Sequence, residues 1–385
     1  MSKKQLIILF ICSLIPWTVG NGLNPLLPVY AEQLGASSTA AGLYLAIAFV
    51  TLTLGAFSAG WVSDRFHKRK LPLIISGVAL IPIVWLISQV HSFWELTGLT
   101  ALLWFAGGLQ LALISILAGL SVGANERGKI FGILAATSGL GAVIGAFAIG
   151  WLVDNWGYST MFKILASFTC ILPIVSLPIK ENVIEQPKVS DAPQGKSPRL
   201  DKNFYWLFAA TIMFTIPIDS ALLIRSLVMH ELGFRSIEIT STGAISGLVA
   251  IPFPFILGWI SDRIGRKTFL YSTYLLGIAF IIILAVSTQY WHFLIAFAIY
   301  GISSGAYTIG NALVADLVPR ESLGRGLSAI SASLWIGGVI GYGSSGIMLQ
   351  GLGLGLTFII VGLLALVAVV LLIPIRTKAV SAGVV

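Results

Sequence analysis

The sequence predicts an all-α integral membrane protein whose twelve transmembrane helices form two pseudo-symmetric six-helix bundles. Three observations carry this: an apolar composition outside the soluble range, twelve apolar stretches of spanning length, and an internal repeat at one constant offset. Of 385 residues, 57% are apolar and 10% charged, and the mean hydropathy is +0.95. Soluble chains carry about 25% charged residues and roughly 45–50% apolar ones. Lipid is the solvent that fits.

A span needs about 20 mostly apolar residues. Stretches of that kind run near Leu6 to Tyr30, Thr39 to Trp61, Leu71 to Val90, Phe93 to Leu120, Gly128 to Trp151 and Thr160 to Ile179. Six more follow near Phe204 to His230, Ile237 to Trp259, Thr268 to Val286, Tyr290 to Val314, Gly324 to Gly346 and Gly353 to Ile375. Lys3 and Lys4 precede the first run as in a signal peptide, but no small-residue cleavage pattern follows, so a retained helix is expected. The charged, Pro-containing segment 180–203 reads as a flexible linker between bundle 1–179 and bundle 204–385. The Lys and Arg residues set the orientation. Of 23, all but Lys163, Arg225 and Arg235 fall on one face when the N-terminus is inside. A multi-pass protein of the cell (inner) membrane with both termini cytoplasmic is expected.

The halves repeat at an offset of 198 residues: GWVSDR at Gly60 to Arg65 aligns with GWISDR at Gly258 to Arg263, and Gly107 and Gly139 align with Gly305 and Gly337. Six spans per copy make the duplication parallel. Such folds place a substrate path at the midplane between halves that rock against each other.

The loop after the second span resembles the signature of the major facilitator superfamily, and the resemblance covers essentially the whole chain. Gly60, Asp64, Arg65, Lys68 and Arg69 match the motif, with His67 in place of its second glycine. The later copy, Gly258, Asp262, Arg263, Gly265, Arg266 and Lys267, matches at every position. A glycine at a helix end allows close backbone approach, and an acid suits a helix N-terminus. The resemblance implies that these loops form a cytoplasmic latch holding one conformation. Gly139, Gly141, Gly145 and Gly150 give the fifth span a small-residue packing stripe. That stripe resembles the antiporter motif of bacterial drug exporters, with Ala146 where they carry proline and Trp104 where they carry an arginine in the fourth span.

Ionisable groups inside a span are functional candidates by default. Asp219 lies near the middle of the seventh span, opposite Asn21 in the repeat, and Arg225 follows six residues later. A carboxylate whose surroundings alternate can take up and release a proton, so Asp219 is the candidate coupling residue. Arg225 lies about 120° further round the helix, where it either serves the site or snorkels outward. Asn21, Asn24, Gln110, Tyr307 and Asn311 are candidate cavity residues, with interhelical hydrogen bonding as the alternative for each.

Other classes lack residues. Gly195-Lys196-Ser197 resembles the end of a phosphate-binding loop, but Ser190 stands where its first glycine belongs, so no ATP site is expected. His67, His91, His230 and His292 are dispersed without metal-ligand spacing. No metal or other cofactor and no nucleic-acid partner is expected; the partners are a small-molecule substrate, protons and the bilayer, and the chain is expected to act as a monomer rather than as an enzyme. The resemblance implies secondary active efflux of amphipathic or drug-like compounds by alternating access. Uptake or facilitated diffusion of a small metabolite or lipid-like solute is the alternative, and a nontransporting membrane sensor is a third.

Overall fold

A computed structural model describes residues 2–66, 68–122, 127–181, 201–253, 256, 261, 265–318 and 322–376, and among them there is no strand. The helices are α1 (Lys3–Leu23), α2 (Leu27–Gln33), α3 (Ser38–Phe66), α4 (Lys70–Ile87), α5 (Phe93–Leu120), α6 (Arg127–Thr169) and α7 (Ile171–Ser176). They continue as α8 (Lys202–Glu231), α9 (Ser236–Ala250), α10 (Arg266–Ala285), α11 (Tyr290–Ser303), α12 (Ala306–Leu317) and α13 (Leu323–Leu371).

Nine segments among the described residues are long and apolar enough to cross a membrane. Two of them, Ile130–Ser176 and Arg325–Leu371, are 47 residues each, about 70 Å as helix and twice the hydrocarbon thickness. Each is broken by one glycine, Gly157 (φ 74°) in α6 and Gly353 (φ 75°) in α13. Only glycine adopts that left-handed conformation without strain. Each long segment therefore crosses twice, with a one-residue reversal. Helix α9, at 15 residues, supplies the remaining span as far as it is described.

Several helix ends differ from the sequence expectation. The first span stops at Leu23 because Pro25 has no N–H to continue the ladder, and the short helix α2 follows. The fifth continues past Trp151 to the break at Gly157. The tenth is interrupted between Ser303 and Ala306. The linker segment 182–200 lies outside the described residues.

The chain divides into two compact units: Met1–Ser190 with Ser226–Gly247, and Asp191–Arg225 with Leu248–Val385. In the first, Leu9, Cys12, Leu113, Ile114 and Leu172 belong to one apolar core, and hydroxyl pairs cross between helices. Tyr44 Oη lies 2.9 Å from Thr100 Oγ1, and Ser13 Oγ lies 2.8 Å from Thr137 Oγ1. Outward faces are apolar as well: Phe57, Ile174, Val286 and Ile373 are each more than 60% exposed. That surface suits acyl chains and would be untenable in water.

Candidate functional site

In the second unit, α8, α10, α11, α12 and α13 enclose a cavity of about 210 Å³ whose lining includes Phe214, Asp219, Tyr274, Tyr300, Tyr307 and Leu334. Among the described residues Asp219 is its only charged lining residue. The walls are aromatic by construction: Phe214 of α8 stacks on Tyr274 of α10 with centroids 3.9 Å apart and an interplanar angle of 3°.

Close packing of α8 against α13 sets the position of Asp219. A Cβ added at Gly341 would lie 2.5 Å from the Ile216 carbonyl oxygen and 3.2 Å from Asp219 Cβ. Ser220 Oγ donates to the Gly341 carbonyl at 3.0 Å. The next residue, Tyr342, is 1% exposed, and its hydroxyl bonds the Asp219 carboxyl group. Tyr300 lies within electrostatic reach of both Asp219 and Arg225, and Tyr342 within reach of Arg225. Two tyrosines thus link the acid to the cation six residues away. Sequence reading missed both, since a tyrosine in an apolar span looks like core; the 198-residue offset pairs Tyr300 with Leu102 and Tyr342 with Ile144, so no polar partner in the first repeat marked them.

Arg225 does not snorkel. It is buried in the second unit, with its guanidinium carbon 4.5 Å from the centroid of the Phe297 ring. Tyr307 lines the cavity and is 45% exposed. Asn311, one turn further along α12, is half-buried and outside the lining. The remaining candidates belong to the first unit. Asn21 donates its side-chain N–H to the Ser138 carbonyl at 3.0 Å, tying α1 to α6. Asn24 is half-buried at the end of α1. Gln110 is fully buried in α5, and neither its amide oxygen nor its nitrogen has a hydrogen-bond partner among the described residues.

Of the motif loops, the side chain of Asp64, and all of Gly258, Asp262 and Arg263, lie outside the described residues. At Gly60 an added Cβ would meet no described atom within 4 Å, and Arg65 and Lys68 are exposed. Arg69 donates Nε–H to Ser63 Oγ at 2.8 Å, and the Glu181 carboxylate accepts the backbone N–H groups of Arg69 and Lys70 at the N-terminus of α4. Gly265 has φ 104° and precedes α10. There Arg266 donates to the Ala312 carbonyl at 2.7 Å and pairs with Asp316 at 2.9 Å, and Lys267 donates to the carbonyls of Ile373 and Ile375 at 3.0 and 2.6 Å. Arg69 and Lys267 are equivalent under the 198-residue offset. Both tie the start of a repeat's third span to the end of its sixth, once through an acid on N–H groups and once through an ammonium on carbonyls.

The packing glycines have defined neighbours. Added Cβ atoms at Gly141 and Gly145 would run into α1 at Trp17 and Thr18, and one at Gly150 into Ile237 of α9. Outside the spans, burial and the neighbouring Glu231 push the Glu32 carboxyl above the ordinary glutamate range, partly offset by a hydrogen bond from Ser38. At the start of α5 the His91 backbone N–H donates to Glu95 Oε2 at 2.9 Å. Among the described residues no group of three His, Cys, Asp or Glu could hold a metal ion.

The profile of the Major Facilitator Superfamily matches residues 6–223 and 207–383. The chain is 26% identical over 324 residues to multidrug resistance protein MdtG of Salmonella choleraesuis (strain SC-B67), covering 79% of this chain and 78% of that one. It is 26% identical over 297 residues to MdtG of Klebsiella pneumoniae (strain 342), covering 73% and 71%. Among solved structures the fold is similar to that of nucleoside transporter NupG (TM-score 0.80, 14% identity, 97% of this chain and 100% of that one). It is also similar to that of peptide transporter POT (TM-score 0.79, 14% identity, 96% and 93%). Two matched halves spanning almost the full length, on a twelve-span helical fold, place this multi-pass membrane protein in the major facilitator superfamily of secondary transporters.

Proposed function

We propose that the chain exports small amphipathic or drug-like compounds in exchange for protons, by alternating access between bundle 1–179 and bundle 204–385 joined by the segment 180–203. The observation that carries the proposal is the cavity of the second unit, where the Asp219 carboxyl group faces aromatic walls and is hydrogen-bonded by Tyr342. An acid in an apolar pocket is the group whose proton a transporter can exchange against a solute. Stacked aromatics grip flat apolar molecules without demanding one geometry. The name multidrug resistance protein borne by the Salmonella and Klebsiella relatives supports the same solute class.

Arg225 is held over Phe297 and does not line the cavity, which favours a cationic or neutral solute over an anion. Asn21, Asn24, Gln110, Tyr307 and Asn311 are proposed to complete the solute path. The loops at Gly60–Arg69 and Gly258–Arg266 are proposed to latch one state on the cytoplasmic face, with both termini on that face of the inner membrane and the monomer as the working unit.

The test is purified protein in liposomes under an imposed pH gradient, screened with lipophilic cations, neutral amphiphiles and anions. Asp219→Asn is expected to abolish gradient-driven accumulation while leaving solute exchange at equal pH measurable. Gradient-driven transport at the wild-type rate in that variant would remove Asp219 from coupling.

A further inference from the structure

The glycine-acid pattern of the motif loops occurs a third time. Gly150, Trp151, Asp154 and Gly157 repeat the spacing of Gly258, Trp259, Asp262 and Gly265. The first two copies close the second span of each repeat, whereas this one closes the fifth, three spans later. An odd number of crossings carries it to the opposite membrane face. Its second glycine again takes a positive φ, 74° at Gly157 against 104° at Gly265.

Here the acid has defined partners. Asp154 Oδ1 accepts the Ser236 backbone N–H at 2.8 Å, and Oδ2 accepts that of Ile237 at 3.0 Å. The same Oδ2 lies 3.5 Å from Arg235 Nε; the acid side chain is 9% exposed and the arginine 65%. One carboxylate therefore covers the open N-terminus of α9, where N–H groups lack helical partners and the dipole favours negative charge. Below it α9 lies along α6. Thr240 Oγ1 donates to the Ala146 carbonyl at 2.7 Å, and a Cβ at Gly150 would sit 2.7 Å from Ile237 Cα. Residues 226–247 belong by sequence to the second repeat, yet they cluster in one compact unit with the first.

We infer that Asp154 is a latch on the face opposite the motif loops, an acid of the first repeat that caps a helix of the second and must let go for that face to open. The inference rests on the alternating-access reading above. Its chemistry suits a contact that is made and broken: a capped helix end exchanges one carboxylate for water without opening an apolar core, and Arg235 stays hydrated throughout.

The experiment uses the full chain in liposomes with Cys12 and Cys170 replaced by alanine and spin labels on Asn155→Cys and Leu232→Cys, both exposed positions near the cap. Two distance populations are expected, the short one dominant. Asp154→Ala should raise the ratio of long to short about tenfold and Asp154→Asn by less, with the thermal midpoint of the labelled variants read in parallel to separate opening from loss of fold. Thr240→Val, which keeps the carboxylate and removes the bond to Ala146, should raise the ratio by less than Asp154→Ala. Two populations whose ratio ignores Asp154 would overturn the latch and leave alternating access standing. A single population in every variant would overturn both.

Discussion

Replacing Gly341 with alanine tests whether the close seat of α13 on α8 positions Asp219. The new Cβ would lie 2.5 Å from the Ile216 carbonyl oxygen, where an ordinary carbon–oxygen contact is about 3.3–3.6 Å. The helices must part by nearly an ångström or the methyl stays strained. Overpacking of that kind costs about 1–3 kcal/mol. The shift also stretches the 3.0 Å bond from Ser220 to the Gly341 carbonyl, worth roughly 0.5–1.5 kcal/mol. Against this stands alanine's helix propensity, about 0.8–1.0 kcal/mol over glycine. The net effect is a destabilisation of about 2 kcal/mol, near thirtyfold in the unfolding constant. Gly362, in the second rod of α13 and with no atom within 4 Å of an added Cβ, supplies the control: its alanine variant keeps the propensity gain and should be stabilised by up to ~1 kcal/mol. Reversible unfolding in mixed micelles measures both. Equal stability of the two variants would refute the packing argument, and wild-type coupled transport by a destabilised Gly341→Ala would separate the packing from the placement of Asp219.

Tyr342→Phe removes the hydroxyl that bonds Asp219 and leaves the ring packed, so coupled transport should fall at least tenfold with expression and thermal midpoint little changed, as flux assays and thermal unfolding will show. Glu181→Ala uncovers the N–H groups of Arg69 and Lys70 and should lower stability by about 0.5–2 kcal/mol, the usual cost of a lost N-cap. Because the Glu32 carboxyl is raised, its contribution is fully present below the unfolded glutamate value of about 4.3 and is lost as pH rises through its folded value. Glu32→Gln should therefore remove a stability loss seen on raising the pH from about 4 towards neutral. Unfolding midpoints measured across pH for this variant and the wild type test the sign.

The features legible in the sequence were those set by solvent and by backbone. Apolar length gave the spans, because every buried peptide group in lipid must be satisfied within its own helix. Asp219 stood out because an acid in an apolar run has no local explanation. The pairings across helices were not legible. Tyr342 lies 123 residues from Asp219, and nothing local separates a tyrosine that bonds an acid from one that fills a gap. The bond from Asn21 to Ser138, the seat of Arg225 on Phe297 and the interruption after Ser303 depend in the same way on which helix lies alongside. The third copy of the glycine-acid pattern was in plain view, but its offset of 90 residues is not that of the main duplication, and only the cap on Ser236 and Ile237 gave it meaning.

The single-residue reversals at Gly157 and Gly353 constrain how the molecule can be built and moved. Two membrane-spanning rods joined through one peptide unit have no slack, so when one tilts its companion tilts with it, like the arms of a tuning fork. A pull on α6 at Asp154, three residues before the joint, is therefore felt along the following rod, and lengthening the joint by a few flexible residues should uncouple the pair while leaving each rod intact.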